Sequence, residues 1–193
     1  TLDDVFEQVE FFVDAVSDYK SDFVLFPEYF NAPLMAKFNH LGEAQSIRGL
    51  AQYTEEIRER FVNLAISYNI NIITGSMPLL KEDGALYNVG YLIRRDGSYE
   101  MYEKVHVTPD EQKSWGLSGG KMVKTFDTDC ARIGVLICYD VEFPELSRIM
   151  ADQGMQILFV PFLTDTQNGY SRVRVCAQAR AIENLSLIHI SEP

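Results

Sequence analysis

Basic residues are few in this sequence. Its 193 residues include 17 Lys and Arg against 28 Asp and Glu, so the formal net charge at pH 7 is −11. No cluster of Lys and Arg offsets this excess locally. Because an acidic surface repels phosphodiester backbones and anionic lipids, the composition argues against a nucleic-acid partner and against membrane adhesion.

Long apolar runs are also absent. No stretch approaches the roughly 18 to 20 apolar residues that a bilayer-spanning helix needs. The N-terminus has no basic region followed by an apolar stretch, as a secretory signal would. These absences predict a cytoplasmic protein.

Cysteine and histidine are scarce and scattered. The three residues of each type are Cys130, Cys138, Cys176, His40, His106 and His189. The cysteines are odd in number and form no CxxC pair, which argues against a disulfide framework and a structural zinc site. The histidines have no ligand spacing, so the sequence predicts no metal. At least one thiol is free for other chemistry.

Helical and strand patterns alternate along the chain. Amphipathic helices are predicted at 2–19, 57–68, 144–150 and 171–183, and buried strands at 23–26, 70–73, 132–137 and 157–160. Asp96-Gly97 is a strong hairpin signal between strands at 87–94 and 98–104. With 47% hydrophobic residues, the chain can bury the core of one domain. The pattern predicts an α/β layered domain with mixed strand pairing.

The chain is expected to be truncated at both ends. It opens directly in a helix, where a strand would normally come first. We therefore predict one partial domain over residues 1–184. Residues 185–193 begin a strand or are a cloning or sequencing remnant.

Polar residues follow three of the predicted strands, namely Glu28, Lys104 and Cys138. Taken one at a time, each residue has an ordinary explanation. Cys138 could be a small buried apolar residue, Glu28 a carboxylate in the first turn of a helix, and Lys104 an exposed charge at the end of a strand. Ligands of open α/β sheets, however, bind at the carboxyl edge of the strands. The coincidence of three such residues suggests one site.

The segments around these residues resemble the carbon–nitrogen hydrolase family, also called the nitrilase superfamily, and its amidase-like branch. The matching segments are the general-base segment 26–30, the lysine segment 102–106, the nucleophile segment 136–140 with 143–145, and the segments 86–88 and 178–184. The resemblance implies a four-layer α-β-β-α sandwich. It also implies a hydrolase without cofactors that cleaves a non-peptide carbon–nitrogen bond, an amide rather than a nitrile on family frequency.

The same resemblance implies the role of each residue. Cys138 attacks the substrate and forms a thioester, while Glu28 serves as the general base. Lys104 and the backbone N–H of Tyr139 stabilise the oxyanion. Glu111 resembles a second acidic residue that orients the lysine and the substrate, with the adjacent Asp110 as an alternative.

Further expectations concern partners and competing functions. The resemblance implies a homodimer or higher homo-oligomer, paired through the helices after Cys138 and Pro161, and a small-molecule substrate whose pocket the loops 32–49 and 110–124 shape. The segments 108–111 and 115–120 resemble a branch in which an acetyltransferase domain lies upstream. The alternatives are an acyl or amide transferase with the same thioester chemistry, and a non-catalytic module that retains the fold. His106 is expected to make a structural hydrogen bond.

Overall fold

Two β-sheets lie face to face between two helical layers in this computed structural model, which describes residues 1–184 and the backbone of residues 187–191. The helices are α1 (Leu2–Asp18), α2 (Glu43–Leu50), α3 (Thr54–Ser67), α4 (Pro144–Asp152) and α5 (Gln167–Asn184). The strands are β1 (Phe23–Leu25), β2 (Asn71–Ile73), β3 (Met77–Leu80), β4 (Leu86–Ile93), β5 (Tyr99–Glu103), β6 (Leu117–Ser118), β7 (Thr125–Asp127), β8 (Arg132–Val135), β9 (Ile157–Pro161) and β10 (Leu187–Ser191). Short 3₁₀-helices occupy Ala32–Phe38, Ala51–Tyr53 and Cys138–Glu142, and Glu111–Trp115 forms a π-helical turn.

The first sheet is organised around β4. This strand pairs antiparallel with β2, β3 and β5 and parallel with β6, and β1 joins through parallel pairing with β2. The predicted hairpin between β4 and β5 is confirmed, with Gly97 at a φ of +84° that glycine tolerates. Because β4 runs opposite to both β2 and β5, strands β1, β2 and β5 end at the same edge.

The second sheet has the order β10-β9-β8-β7, with parallel pairing except between β7 and β8. The backbone of residues 187–191 extends this sheet beside β9. Of the predicted 185–193 segment, residues 185–186 and 192–193 lie outside the described residues. Within the described part of the chain, no helix is both long and apolar enough to cross a bilayer.

Aromatic contacts join the layers. Phe6 of α1 meets Phe61 of α3 edge to face at 5.3 Å between ring centroids, in the core over the first sheet. Between the sheets, Phe23 of β1 lies 5.1 Å from Phe159 of β9. On the other side, Met150 of α4 packs on the second sheet, where its Sδ would lie 2.8 Å from a Cβ at Gly134 of β8. The α-β-β-α order of the predicted sandwich is therefore confirmed.

The segment 32–49, predicted as a loop, contains a 3₁₀-helix and most of α2. Helix α2 has no side-chain cap at its N-terminus, and its buried apolar residues are Ile47 and Leu50. Two apolar positions are too few to produce a helical periodicity in the sequence. The difference arises because tertiary packing, rather than local pattern, stabilises this helix.

Candidate active site

Glu28 follows β1 at the edge where β1 and β5 end. Its backbone forms a parallel bridge with Ser76, and the next residue, Tyr29, donates its N–H to the Ser76 carbonyl at 2.8 Å. Tyr29 has a φ of +52°, which is unusual for a residue with a side chain. This turn directs the Glu28 side chain inward, where it is 3% exposed.

The Glu28 carboxylate is held on both oxygens. Asn88 Nδ2 and Lys104 Nζ donate to Oε1, at 3.0 and 2.8 Å. The backbone N–H of Leu163, just after β9, donates to Oε2 at 3.0 Å. Groups from both sheets therefore fix the orientation of this carboxylate.

Lys104 comes directly after β5 and is buried between two carboxylates. Its Nζ donates to Oε1 of Glu28 and to Oε1 of Glu111, each at 2.8 Å. Burial alone would lower the pKa of Lys104, but the charges of Glu28 and Glu111 outweigh it and hold the pKa above its usual range. The side chain is therefore an ammonium ion at neutral pH.

Cys138 opens the 3₁₀-helix Cys138–Glu142 with a φ of +49°, a conformation that costs a non-glycine residue energy. Its Sγ lies 3.8 Å from the carbonyl oxygen of Leu163. Burial raises the pKa of Cys138, and the charge and hydrogen bonding of Glu28 raise it further, against the opposing effect of Lys104. The resting group is therefore a thiol beside a carboxylate.

Glu111 begins the π-helical turn and reaches the same cluster. The Tyr29 hydroxyl donates to its Oε1 at 3.1 Å, and the Thr108 backbone N–H donates to its Oε2 at 2.7 Å. Glu111 is 5% exposed, whereas the neighbouring Asp110 faces solvent. Of the two alternatives, the structure brings Glu111 to Lys104.

Tyr139 and His106 flank the cluster. Tyr139 follows Cys138 directly and is half-buried, with its ring 5.1 Å from that of Phe143. His106 stacks on the same Phe143 ring at 3.7 Å, and its Nδ1 lies 3.1 Å from Oδ1 of Asp140. Its contacts agree with the structural hydrogen bond predicted for it.

Sequence reasoning assigned no role to Tyr29, Asn88, Asp140 or Leu163, which all contact the cluster or its supports. Tyr29, Asn88 and Asp140 lie inside the segments that carry the family resemblance, so a signal for them existed. Leu163 acts through its backbone, and no residue type marks such a role in a sequence.

A cavity of about 870 Å³ opens beside these groups, between α1 and the 3₁₀-helix Ala32–Phe38. Glu28 and Leu163 are among its lining residues, and the walls beyond them include Val5, Phe12 and Phe30. The cavity therefore reaches the cluster on the side of Glu28 and Leu163, and neither Cys138 nor Lys104 lines it.

Comparison with known proteins gives the family. Residues 1–185 match the model of the carbon-nitrogen hydrolase family. The chain belongs to this family. The predicted family is thus confirmed, and the motif residues Glu28, Lys104 and Cys138 are all buried in one region of the fold.

The relatives that this chain matches include longer proteins. A probable hydrolase, YhcX of Bacillus subtilis, is 50% identical over 92% of this chain and 34% of the relative. The human omega-amidase NIT2 is 30% identical over 94% of this chain and 66% of the relative. A carbon-nitrogen hydrolase from Helicobacter pylori has the same fold, with a TM-score of 0.83 at 21% identity, over 97% of this chain and 67% of that structure. The chain therefore spans about a third to two thirds of these proteins.

Proposed function

We propose that this chain carries the catalytic site of a hydrolase that cleaves a non-peptide carbon–nitrogen bond, an amide rather than a nitrile, through a thioester on Cys138. The observation that carries the proposal is the cluster in which one ammonium, Lys104, joins the carboxylates of Glu28 and Glu111 beside a buried thiol. A thiol, a base and a fixed cation are the groups that such a reaction requires.

In the first half-reaction, Cys138 Sγ attacks the carbonyl carbon of the amide as its proton passes to Glu28. The raised pKa of the thiol makes this transfer necessary, since little thiolate exists at neutral pH. Lys104 and the backbone N–H of Tyr139 stabilise the oxyanion of the tetrahedral intermediate. The carbon–nitrogen bond then breaks, and Glu28 gives its proton to the departing amine or ammonia.

In the second half-reaction, water attacks the thioester carbon and Glu28 takes a proton from it. The carbon–sulfur bond breaks, the carboxylic acid leaves, and the proton returns to Cys138. Lys104 keeps its proton throughout, in line with its raised pKa. Glu111 holds the ammonium together with Glu28 and helps to orient the substrate.

Support for an amide substrate comes from a relative: the human protein is an omega-amidase. The thioester also allows transfer to an amine in place of water, so the product distribution decides between a hydrolase and a transferase.

For the whole protein we propose a cytoplasmic homodimer or higher homo-oligomer. The outward faces of α4 and α5 support pairing, because Ile149, Val175 and Ile182 are 46%, 61% and 76% exposed there. An upstream acetyltransferase domain stays part of the proposal, and the greater length of the Bacillus relative leaves room for one.

The test is ammonia release from a panel of primary amides and their matching nitriles, with and without added hydroxylamine. Amides should be turned over, and hydroxamate formation would measure transfer. Cys138→Ala should abolish turnover, and Glu28→Gln should lower kcat by about 10²–10⁴-fold, the usual contribution of a general base.

Cys130→Ala is the matched control, because that thiol is exposed and no contact joins it to the cluster in the described residues. It should keep wild-type turnover. Measurable turnover in Cys138→Ala would refute the mechanism.

A further inference from the structure

Asp140 is a buried carboxylate to which the mechanism above gives no role. It is 1% exposed and lies two residues after Cys138 in the same 3₁₀-helix. Its backbone N–H donates to the carbonyl of Ile137 at 3.0 Å, so it is fixed to the turn that carries the thiol. A buried carboxylate costs free energy unless its oxygens are hydrogen-bonded, so its partners show what it does.

Both oxygens of Asp140 bind the backbone that follows Lys104. Oδ2 accepts from the N–H of Val105 at 3.1 Å, and Oδ1 accepts from the N–H of His106 at 2.7 Å. The His106 ring adds its Nδ1 contact at 3.1 Å. Three contacts from one side chain therefore converge on the two residues directly after the ammonium.

The backbone bonds of Lys104 itself join it to β4 and to the loop after β6, and neither reaches the second sheet. Its N–H donates to the Asn88 carbonyl at 2.9 Å, and its carbonyl accepts from Gly120 at 2.8 Å. The Asp140 carboxylate instead links the end of β5 in the first sheet to the turn after β8 in the second. An apolar side chain in its place would leave the N–H groups of Val105 and His106 without this acceptor.

We propose that Asp140 is a positioning residue that fixes Lys104 relative to Cys138 across the two sheets. This inference rests on the proposed function, since it assigns the position of a catalytic ammonium. The ionised carboxylate can accept on both oxygens, from the backbone N–H groups of Val105 and His106. Burial raises the pKa of Asp140 to about 6, and the hydrogen bonds from His106 and Val105 oppose this rise because they favour the ionised form.

The test is the rate at which iodoacetamide alkylates Cys138, read by peptide mass spectrometry, with exposed Cys130 as the internal reference. Lys104 lowers the pKa of Cys138, so a displaced ammonium leaves less thiolate. Asp140→Asn should slow Cys138 labelling about 10-fold, which corresponds to one pKa unit, and leave Cys130 unchanged. The matched control Asp152→Asn, at an exposed position on α4, should change neither rate.

The same substitution is then made in the Lys104→Met variant, to distinguish an effect on the position of Lys104 from a general loss of stability. If Asp140 acts through Lys104, Asp140→Asn should slow labelling less than about 2-fold once the ammonium is gone, because coupled residues are non-additive. Equal slowing in both backgrounds, or no slowing in the wild-type background, would overturn the inference. Each variant is compared at a temperature at which circular dichroism shows it folded.

If Asp140→Asn does not fold, His106→Ala takes its place. It removes one of the three contacts and should slow labelling about 3-fold, again only when Lys104 is present. Equal slowing by His106→Ala in both backgrounds overturns the inference as well. Ammonia release by the wild-type chain tests the proposed function separately, so a negative labelling result leaves that proposal standing.

Discussion

Two charge clusters in this molecule have opposite composition and very different surroundings. In the site, one cation, Lys104, lies between two carboxylates, with 1% to 7% of each side chain exposed. On the surface, one carboxylate, Glu100, lies between Arg94 and Lys124, with 22% to 44% of each side chain exposed. The contact distances are alike, at 2.5 to 2.8 Å. Any difference in how much the two clusters contribute to the free energy of unfolding must therefore come from their surroundings.

Burial changes how much an ion pair contributes to stability. Water screens the surface cluster, so each pair there contributes only about 0–1 kcal/mol. In the buried cluster, groups of the protein take the place of water around each charge. Removal of one charged partner therefore leaves the other charge uncompensated. The two clusters should therefore respond differently to the loss of a single charge.

Lys104→Met should break the buried cluster. We expect the free energy of unfolding to fall by about 3–5 kcal/mol, since Glu28 and Glu111 lose their shared cation, and kcat to fall by about 10²–10³-fold. Urea denaturation and ammonia release measure the two effects. Lys124→Met is the matched surface control and should cost no more than about 1 kcal/mol. Equal stability of the two variants would refute the contrast.

Glu111→Gln should weaken the buried cluster but leave the ion pair between Lys104 and Glu28. The amide keeps one acceptor oxygen for three donors, those of Tyr29, Lys104 and Thr108. We expect kcat to fall by about 10–100-fold, because a displacement of 1 Å at a catalytic group costs about that much. Asp110→Asn, one residue earlier and exposed, is the control for steady-state kinetics. Similar losses in both variants would argue that the turn, rather than the Glu111 carboxylate, matters.

Glu100→Gln should have the smallest effect, below about 1 kcal/mol at pH 7. Hydrogen bonds from Lys124 and Arg94 lower the pKa of Glu100 in the folded state. A lowered carboxyl pKa stabilises the fold above the unfolded pKa of about 4.3, and this stabilisation is lost as pH falls through the folded pKa.

The stability difference between wild type and Glu100→Gln should therefore shrink from pH 6 to pH 3, and also in 1 M salt. Thermal unfolding at several pH values measures it. A difference that persists at pH 3 in 1 M salt would show that Glu100 acts through something other than its charge.

Much of the fold could be predicted because its signals are local. The Asp96-Gly97 turn and the apolar runs that become β1, β2, β8 and β9 lie within a few residues of chain. The strand β3 was not predicted, since Met77–Leu80 has four residues and includes a proline. Short elements of this kind are stabilised by pairing partners that a local pattern does not contain.

The site was predicted less completely, because its contacts are remote in sequence. Glu28 and Lys104 are 76 positions apart, and Glu28 and Leu163 are 135 apart. The family resemblance marked side chains with distinctive chemistry, such as Cys138. It could not reveal which backbone groups hold the Glu28 carboxylate, since every residue type except proline carries the same N–H.

The contacts of Leu163 bear on how this site tolerates sequence change. Its N–H donates to Glu28 and its carbonyl lies next to Cys138 Sγ, while the residue is 41% exposed and its side chain takes no part in either contact. Side-chain identity and catalytic geometry are thus uncoupled at this position. Substitutions can alter the mouth of the site and leave the base and the nucleophile undisturbed, with proline as the exception, because it lacks the N–H that Glu28 accepts.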